Sequence, residues 1–148
     1  MKLQISSRMA IFALLELAAG PERQLAVAEM GEKYDVSSHH LAKVMQVLVR
    51  AGLVRSVRGA RGGYQFSGNP RRITLLDVIR LFEDLRSSGA ASRAVEATSE
   101  GRALHQVLVE IDEIASATLG SITIAAMLKL AARHRGGGWR APARVRSA

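Results

Sequence analysis

Arg58 and Arg61 stand in the run Ser56-Val-Arg-Gly-Ala-Arg-Gly-Gly-Tyr64, between two short apolar stretches. Gly59, Gly62 and Gly63 supply the backbone freedom of a tight hairpin. Guanidinium groups held at such a tip suit a phosphate backbone or a minor groove, because the planar fork donates parallel N–H bonds to phosphate oxygens. Upstream, His39, Lys43, Gln46 and Arg50 recur at helical spacing. One helix face then carries hydrogen-bonding and cationic groups, as a helix reading base edges in a major groove requires. Ser37 and Ser38 sit where that helix starts, to cap it or touch phosphate, and His40 is a further base-reading candidate. Arg55 adds a cation on the strand leading to the tip. Ser7 and Arg8 open another helix, whose free N–H groups can meet phosphate.

Other chemistry is poorly provided for. The chain has no cysteine, hence no disulfide, thiolate metal site or cysteine-held iron–sulfur cluster. His39 and His40 diverge by about 100° on a helix and make a poor chelate, so no metal ligand and no cofactor is assigned. No paired-carboxylate, Ser/His/Asp or nucleotide-loop spacing is present, and the chain does not read as an enzyme. Glu110, Asp112 and Glu113 read as a solvated face.

At 148 residues and 48% hydrophobic, the chain is one domain or a small domain with an appended element. Its net charge of +8 is unevenly placed: seven basic residues and no acid between Val36 and Leu76, eight acids against five bases between Asp77 and Ala132, and five arginines without an acid from Arg133 on. The long acid-free run favours a polyanion partner over a merely solvated face. The N-terminal segment is broken by Glu16 and has no small-residue cleavage site. It reads as neither signal peptide nor membrane span, so a cytoplasmic location without membrane contact is expected.

The elements that position these residues follow from periodicity. Residues 6–19 form an apolar first helix capped by Ser6 or Ser7 and stopped at Gly20-Pro21. Residues 25–34 form a second, burying Leu25, Ala26, Met30 and Gly31, with Gly31 permitting close helix–helix approach. Asp35 makes a left-handed turn. A third helix, from Ser37 or Ser38 to about Ala51, buries Leu41, Val44, Met45 and Leu48 at i, i+3, i+4 and i+7. The apolar runs Leu53–Val57 and Tyr64–Phe66 form a hairpin, with Arg55, Ser56 and Gln65 as its polar positions. Thr74 caps a fourth helix, Leu75 to Leu85, with Asp77 in a capping box. A fifth, from about Gly101 to Leu119, carries Leu104, Val107, Leu108, Ile111, Ile114, Ala115 and Thr118 as an apolar stripe with little left to pack on, so a second copy is its natural partner. A short last helix spans 124–132. The fold is therefore mainly α with a small β-hairpin wing, a winged helix-turn-helix plus a long dimerisation helix. Residues 1–85 make the DNA-binding domain, 86–100 a sensor-type loop, 101–132 the dimerisation helices and 133–148 a basic tail too rich in Gly, Ala and Arg to fold.

Leu41 to Val57, Arg58-Gly-Ala-Arg-Gly-Gly-Tyr64 and Ile73-Thr-Leu-Leu-Asp-Val-Ile79 resemble the Rrf family of bacterial regulators, the IscR-, NsrR- and CymR-like proteins. Leu119 to Leu128 is similar to the end of that family's dimerisation region, and the resemblance reaches about Leu130. It implies a homodimer on near-palindromic double-stranded DNA operators, mostly repressing, with Ser37 to Gln46 in the major groove and Arg58 and Arg61 in or beside the minor groove. Its best-known members hold an iron–sulfur cluster through three cysteines in the loop after the fourth helix. Arg86 to Glu100 has none, and His105 alone cannot hold one, so that sensing does not carry over. Cluster-free members imply a small-molecule effector or a partner enzyme as the signal, with an effector pocket between the fifth helix and the winged domain. Asp35 replaces the glycine usual in the turn. Two other readings stay open: a non-specific architectural DNA binder, and a regulator that acts mainly by docking on a partner enzyme.

Overall fold

The computed structural model describes residues 1–60, 62–85 and 97–136. Helix α1 (Ile5–Ala19) is apolar on most sides and is buried accordingly through Met9, Ala10, Ile11, Ala13, Leu14 and Leu17. Its start differs from the sequence expectation. Neither Ser6 nor Ser7 caps it; Gln4 is the cap residue and makes no side-chain cap bond. One free donor of the helix start, the Gln4 N–H, is met from far away by Glu83 Oε1 at 3.0 Å, which also accepts the Ser7 hydroxyl. A carboxylate at a helix N-terminus also complements the helix dipole.

Helix α2 (Val27–Tyr34) is shorter than expected because Leu25 forms an isolated bridge to Tyr64 instead of a helical turn. Leu25 pairs antiparallel with Tyr64 through N–H···O bonds of 3.0 and 2.9 Å. Ala26 has no side-chain acceptor, but the Glu29 carboxylate accepts its N–H at 3.0 Å and satisfies the helix start. Asp35 takes the left-handed conformation expected of it, with φ 52° and ψ 52°. Gly31 serves both the turn and the close approach of α3 expected of it: a Cβ there would lie 2.8 Å from the Val36 carbonyl oxygen and 3.3 Å from the Oγ of Ser38, the first residue of the next helix. Its absence lets Val36 N–H bond Gly31 O at 3.0 Å.

Helix α3 (Ser38–Arg50) buries Leu41, Val44, Met45 and Leu48, the stripe its spacing predicts. Ser37 caps it, accepting the His40 N–H at 3.4 Å. Strands β1 (Val54–Val57) and β2 (Gly63–Phe66) form the antiparallel hairpin, with Val54 opposite Phe66 and Arg55 opposite Gln65. Val54 and Phe66 enter the core beside α3 and α1.

Helix α4 (Leu75–Ile79) opens on the expected reciprocal cap: Thr74 Oγ1 accepts the Asp77 N–H at 3.1 Å, and Asp77 Oδ2 accepts the Thr74 N–H at 2.9 Å. It does not run to Leu85. After Ile79 the chain tightens into three-residue turns, Leu81 N–H to Val78 O at 3.2 Å and Phe82 N–H to Ile79 O at 3.0 Å. These turns carry Glu83 back to the start of α1. Helix α5 (Ser99–Ser121) begins two residues before the expected Gly101, because Thr98 rather than a later residue accepts the Gly101 N–H, at 3.0 Å. Thr123 caps α6 (Ile124–Gly136) through the Ala126 N–H at 3.1 Å. The first residues of the expected tail, Arg133 to Gly136, are thus helical, an extension of an already capped helix; residues 137–148 lie outside the described residues.

Leu75 N–H bonds Ile122 O at 2.8 Å and Ile124 N–H bonds Ile73 O at 2.9 Å, so the α5–α6 connection is stitched to the start of α4. Leu119 and Ile124 join the same core as Leu14, Met45 and Ile79. Among the described residues, no helix is long and apolar enough to cross a membrane.

Candidate nucleic-acid interface

The buried stripe of α3 fixes what its other side displays. Ser38, His39, Lys43, Gln46 and Arg50 are exposed together with the cap residue Ser37. His40 is turned differently: it is half-buried, and its Nε2 lies 3.4 Å from Ser6 Oγ of α1. It therefore backs α3 onto α1 instead of joining the outer face.

The hairpin follows α3 directly. Arg58 is exposed at its tip; Arg61 lies outside the described residues. The ribbon is braced against the α1–α2 connection in three ways. Leu25 pairs with Tyr64. A Cβ on Gly63 would lie 2.5 Å from the Leu25 carbonyl oxygen, so only glycine admits this approach. Gln65 Nε2 donates to Pro21 O at 2.9 Å. Strand alternation predicts a solvent position for Gln65; it is 6% exposed, because Pro21 and Arg55 supply partners for its amide. Arg55 is exposed, and donates from Nε and Nη2 to Gln65 Oε1 at 3.1 and 2.6 Å.

The first turn of α1 divides its two candidates. Arg8 is exposed, whereas Ser7 is fully buried with its hydroxyl on Glu83. Glu83 also takes the Gln4 N–H at the start of that helix. The fold thus gathers the α3 face, Arg55 and Arg58 on consecutive elements and withdraws Ser7 and His40.

The scaffold behind α3 carries an ionisable cluster that the sequence reading missed. Glu16 of α1 accepts from Lys33 and, at 2.6 Å, from the Tyr34 hydroxyl. Tyr34 stacks on Phe12 with ring centroids 5.0 Å apart. Burial alone would raise the Glu16 carboxyl, but the bonds from Lys33 and Tyr34 and the charges of Lys33 and Arg23 together hold it below the ordinary range. Burial, and then the Glu16 carboxylate, push the Tyr34 phenol well up. The cluster ties α2 to α1. Its only sequence signal is a charged Glu16 within the otherwise apolar run from Met9 to Ala19.

At the other end of the molecule, α5 buries only Gly101 and Leu119. Leu104 is 59% exposed and Ile114 68%, and Val107, Leu108 and Ile111 are exposed with them; Ala115 is half-buried. A cleft of about 580 Å³ where α5 meets the α4 turns is lined by Arg80, Glu83, Asp84, Leu85 and Ser116. Its lining is largely polar; residues 86–96 of the sensor-type loop expected at that junction lie outside the described residues.

A family model for Rrf2, described as an iron-dependent transcriptional regulator, matches residues 3–130. BadM of Rhodopseudomonas palustris, named as an HTH-type transcriptional regulator, is 54% identical over 132 residues, which cover 88% of this chain and 83% of that protein. The HTH-type transcriptional regulator CymR of Bacillus subtilis is 30% identical over 128 residues, covering 84% and 87%. Among solved structures, oxidized CymR of Staphylococcus aureus is similar with a TM-score of 0.73 at 25% identity, covering 87% of this chain and 97% of that one. IscR of T. potens gives 0.68 at 30% identity, covering 94% of each. The iron in the family description does not fit the donors present: the chain has no cysteine, and among the described residues no three His, Asp or Glu side chains gather to hold a metal. The helix-turn-helix, the basic wing and a family match over nearly the whole described chain lead to one assignment: the chain belongs to the Rrf2 family and is a DNA-binding transcriptional regulator.

Proposed function

We propose that the chain acts as a homodimer that binds a near-palindromic operator and represses transcription there, in response to a signal other than an iron–sulfur cluster. The observation that carries this is the unpartnered face of α5. A 23-residue helix that leaves Leu104, Val107, Leu108, Ile111 and Ile114 in water gains most by pairing with its own copy, since an isologous contact covers both stripes at once. A two-fold axis also sets two α3 helices to read half-sites about one DNA turn, roughly 34 Å, apart. In this reading Ser37, Ser38, His39, Lys43 and Gln46 enter the major groove, Arg58 and Arg61 reach the minor groove, and Arg8 and Arg55 neutralise phosphates. His40 and Ser7 hold α3 and α1 in place instead. Such a protein works in the cytoplasm on promoter DNA, and the cleft beside Arg80 and Ser116 is where a small-molecule effector or a partner enzyme would act.

The test is fluorescence anisotropy with duplex DNA from upstream of the protein's own gene, against a scrambled duplex, at two salt concentrations. Preferential binding to the native duplex that survives the higher salt supports an operator-specific regulator. Equal binding to both, lost together as salt rises, overturns it in favour of an architectural binder, whose affinity is counterion release alone.

A further inference from the structure

We infer that Gln65 is a positioning residue for DNA binding: its buried amide orients the Arg55 guanidinium so that one edge stays open for a backbone phosphate. This rests on the proposal above that Arg55 meets phosphate, and adds what aims it. The two residues face each other across the hairpin. The amide has one possible orientation, because Arg55 can only donate and the Pro21 carbonyl can only accept. Gln65 Oε1 therefore takes Arg55 Nε and Nη2, at 3.1 and 2.6 Å, while Nε2 is spent on Pro21 O at 2.9 Å. Gln65 is 6% exposed, and Pro21 belongs to the α1–α2 connection rather than to the hairpin. The anchor of Arg55 is thus the scaffold and not the mobile end of another surface side chain.

The consequence is chemical. Guanidinium has five N–H donors in one plane. With the Nε–Nη2 edge turned to Gln65, the Nη1–Nη2 edge is the one left to the exterior, and that edge presents two parallel N–H bonds to a phosphate. An unanchored arginine of the same charge has to be immobilised on binding, at a cost of about 2- to 10-fold in affinity per rotamer-rich side chain. The pair removes that cost beforehand. The class of ligand is a phosphodiester, and the contact is indifferent to sequence.

The experiment measures affinity and its salt dependence on a mixed-sequence DNA duplex for the full chain and for Arg55→Ala, Arg55→Lys, Gln65→Leu and the double variant Arg55→Ala/Gln65→Leu. Arg55→Ala lowers the slope of log affinity against log salt by about one per subunit bound. Gln65→Leu lowers affinity about 2- to 10-fold when Arg55 is present and has no further effect in the Arg55→Ala background. Arg55→Lys keeps the charge and the salt slope but loses the same 2- to 10-fold, with the urea midpoint of each variant read alongside to separate aiming from folding. If Gln65→Leu weakens binding equally in both backgrounds, Gln65 is only a brace for the wing and the inference falls. An Arg55→Lys variant that binds like the parent overturns it as well. If Arg55→Ala leaves affinity and slope unchanged, the phosphate reading of Arg55 itself is wrong, while operator recognition through α3 is untouched.

Discussion

Single side chains in this protein change role according to what stands opposite them. Gln65 reads as a solvent position in an alternating strand, yet it is buried, because its two partners come from the facing strand and from Pro21, a separation of 44 residues. Ser7 reads as a cap and is instead a buried donor. By contrast Asp35, Ser37 and the pair Thr74–Asp77 behave as their sequence neighbourhood predicts, since every partner is within a few residues. Glu16 gives a pH consequence at this scale. Its folded carboxyl is held below the unfolded value, so its contribution to stability is complete above the ordinary carboxylate range and is lost as pH falls through the lowered folded value. Glu16→Gln should therefore lower the urea midpoint near neutrality, and the gap to the parent should narrow as pH falls below the ordinary glutamate value and close once it has passed the lowered folded one. A gap that stays constant across pH would show that the carboxylate's charge is not what matters.

At the scale of elements, α3 and its buried stripe were legible because an amphipathic helix needs only its own sequence to declare a face. The ends of α1, α2 and α4 were not. They are set by Glu83 reaching Gln4 and Ser7, by Leu25 joining Tyr64, and by the turns after Ile79 that make the first of these possible. No local propensity encodes a helix-start N–H whose acceptor lies 79 positions away. Glu83→Ala should accordingly cost more than an ordinary surface change, about 1–3 kcal/mol, since it leaves a fully buried hydroxyl without its acceptor as well as uncapping α1. Glu83→Gln, which keeps an oxygen, should cost less. Equilibrium urea unfolding measures both, and a cost under about 0.5 kcal/mol for the alanine variant, the ordinary surface range, would remove the tie from the account.

For the molecule as a whole, the apolar spacing on α5 announced a surface needing a partner, and the fold leaves that surface open. Ile111→Asp, an exposed change that spares the core, should leave the thermal stability of the subunit's own fold largely intact while shifting sedimentation from dimer to monomer. In the proposed dimer each subunit reads one half-site, so DNA affinity should fall with it. Retention of the dimer would redirect attention to another face. What the sequence could not convey is that the C-terminal end of α5 is tied to the winged domain: α5 contacts α4, and the residues that follow it are stitched to Ile73 and Leu75.

That stitching governs how the chain folds. Ile124 is wholly buried in the core shared with Leu14 and Ile79, so closing the core joins residues from opposite ends of the sequence. Contacts of such long sequence separation form late and slow the search. A nascent chain that has emerged only as far as Leu85 lacks Leu119 and Ile124 and cannot complete its hydrophobic centre. The expected outcome is that the DNA-reading surface matures only after Leu119 and Ile124 have been made, and that calorimetry shows one cooperative transition rather than separate melting of a head and a detachable stalk.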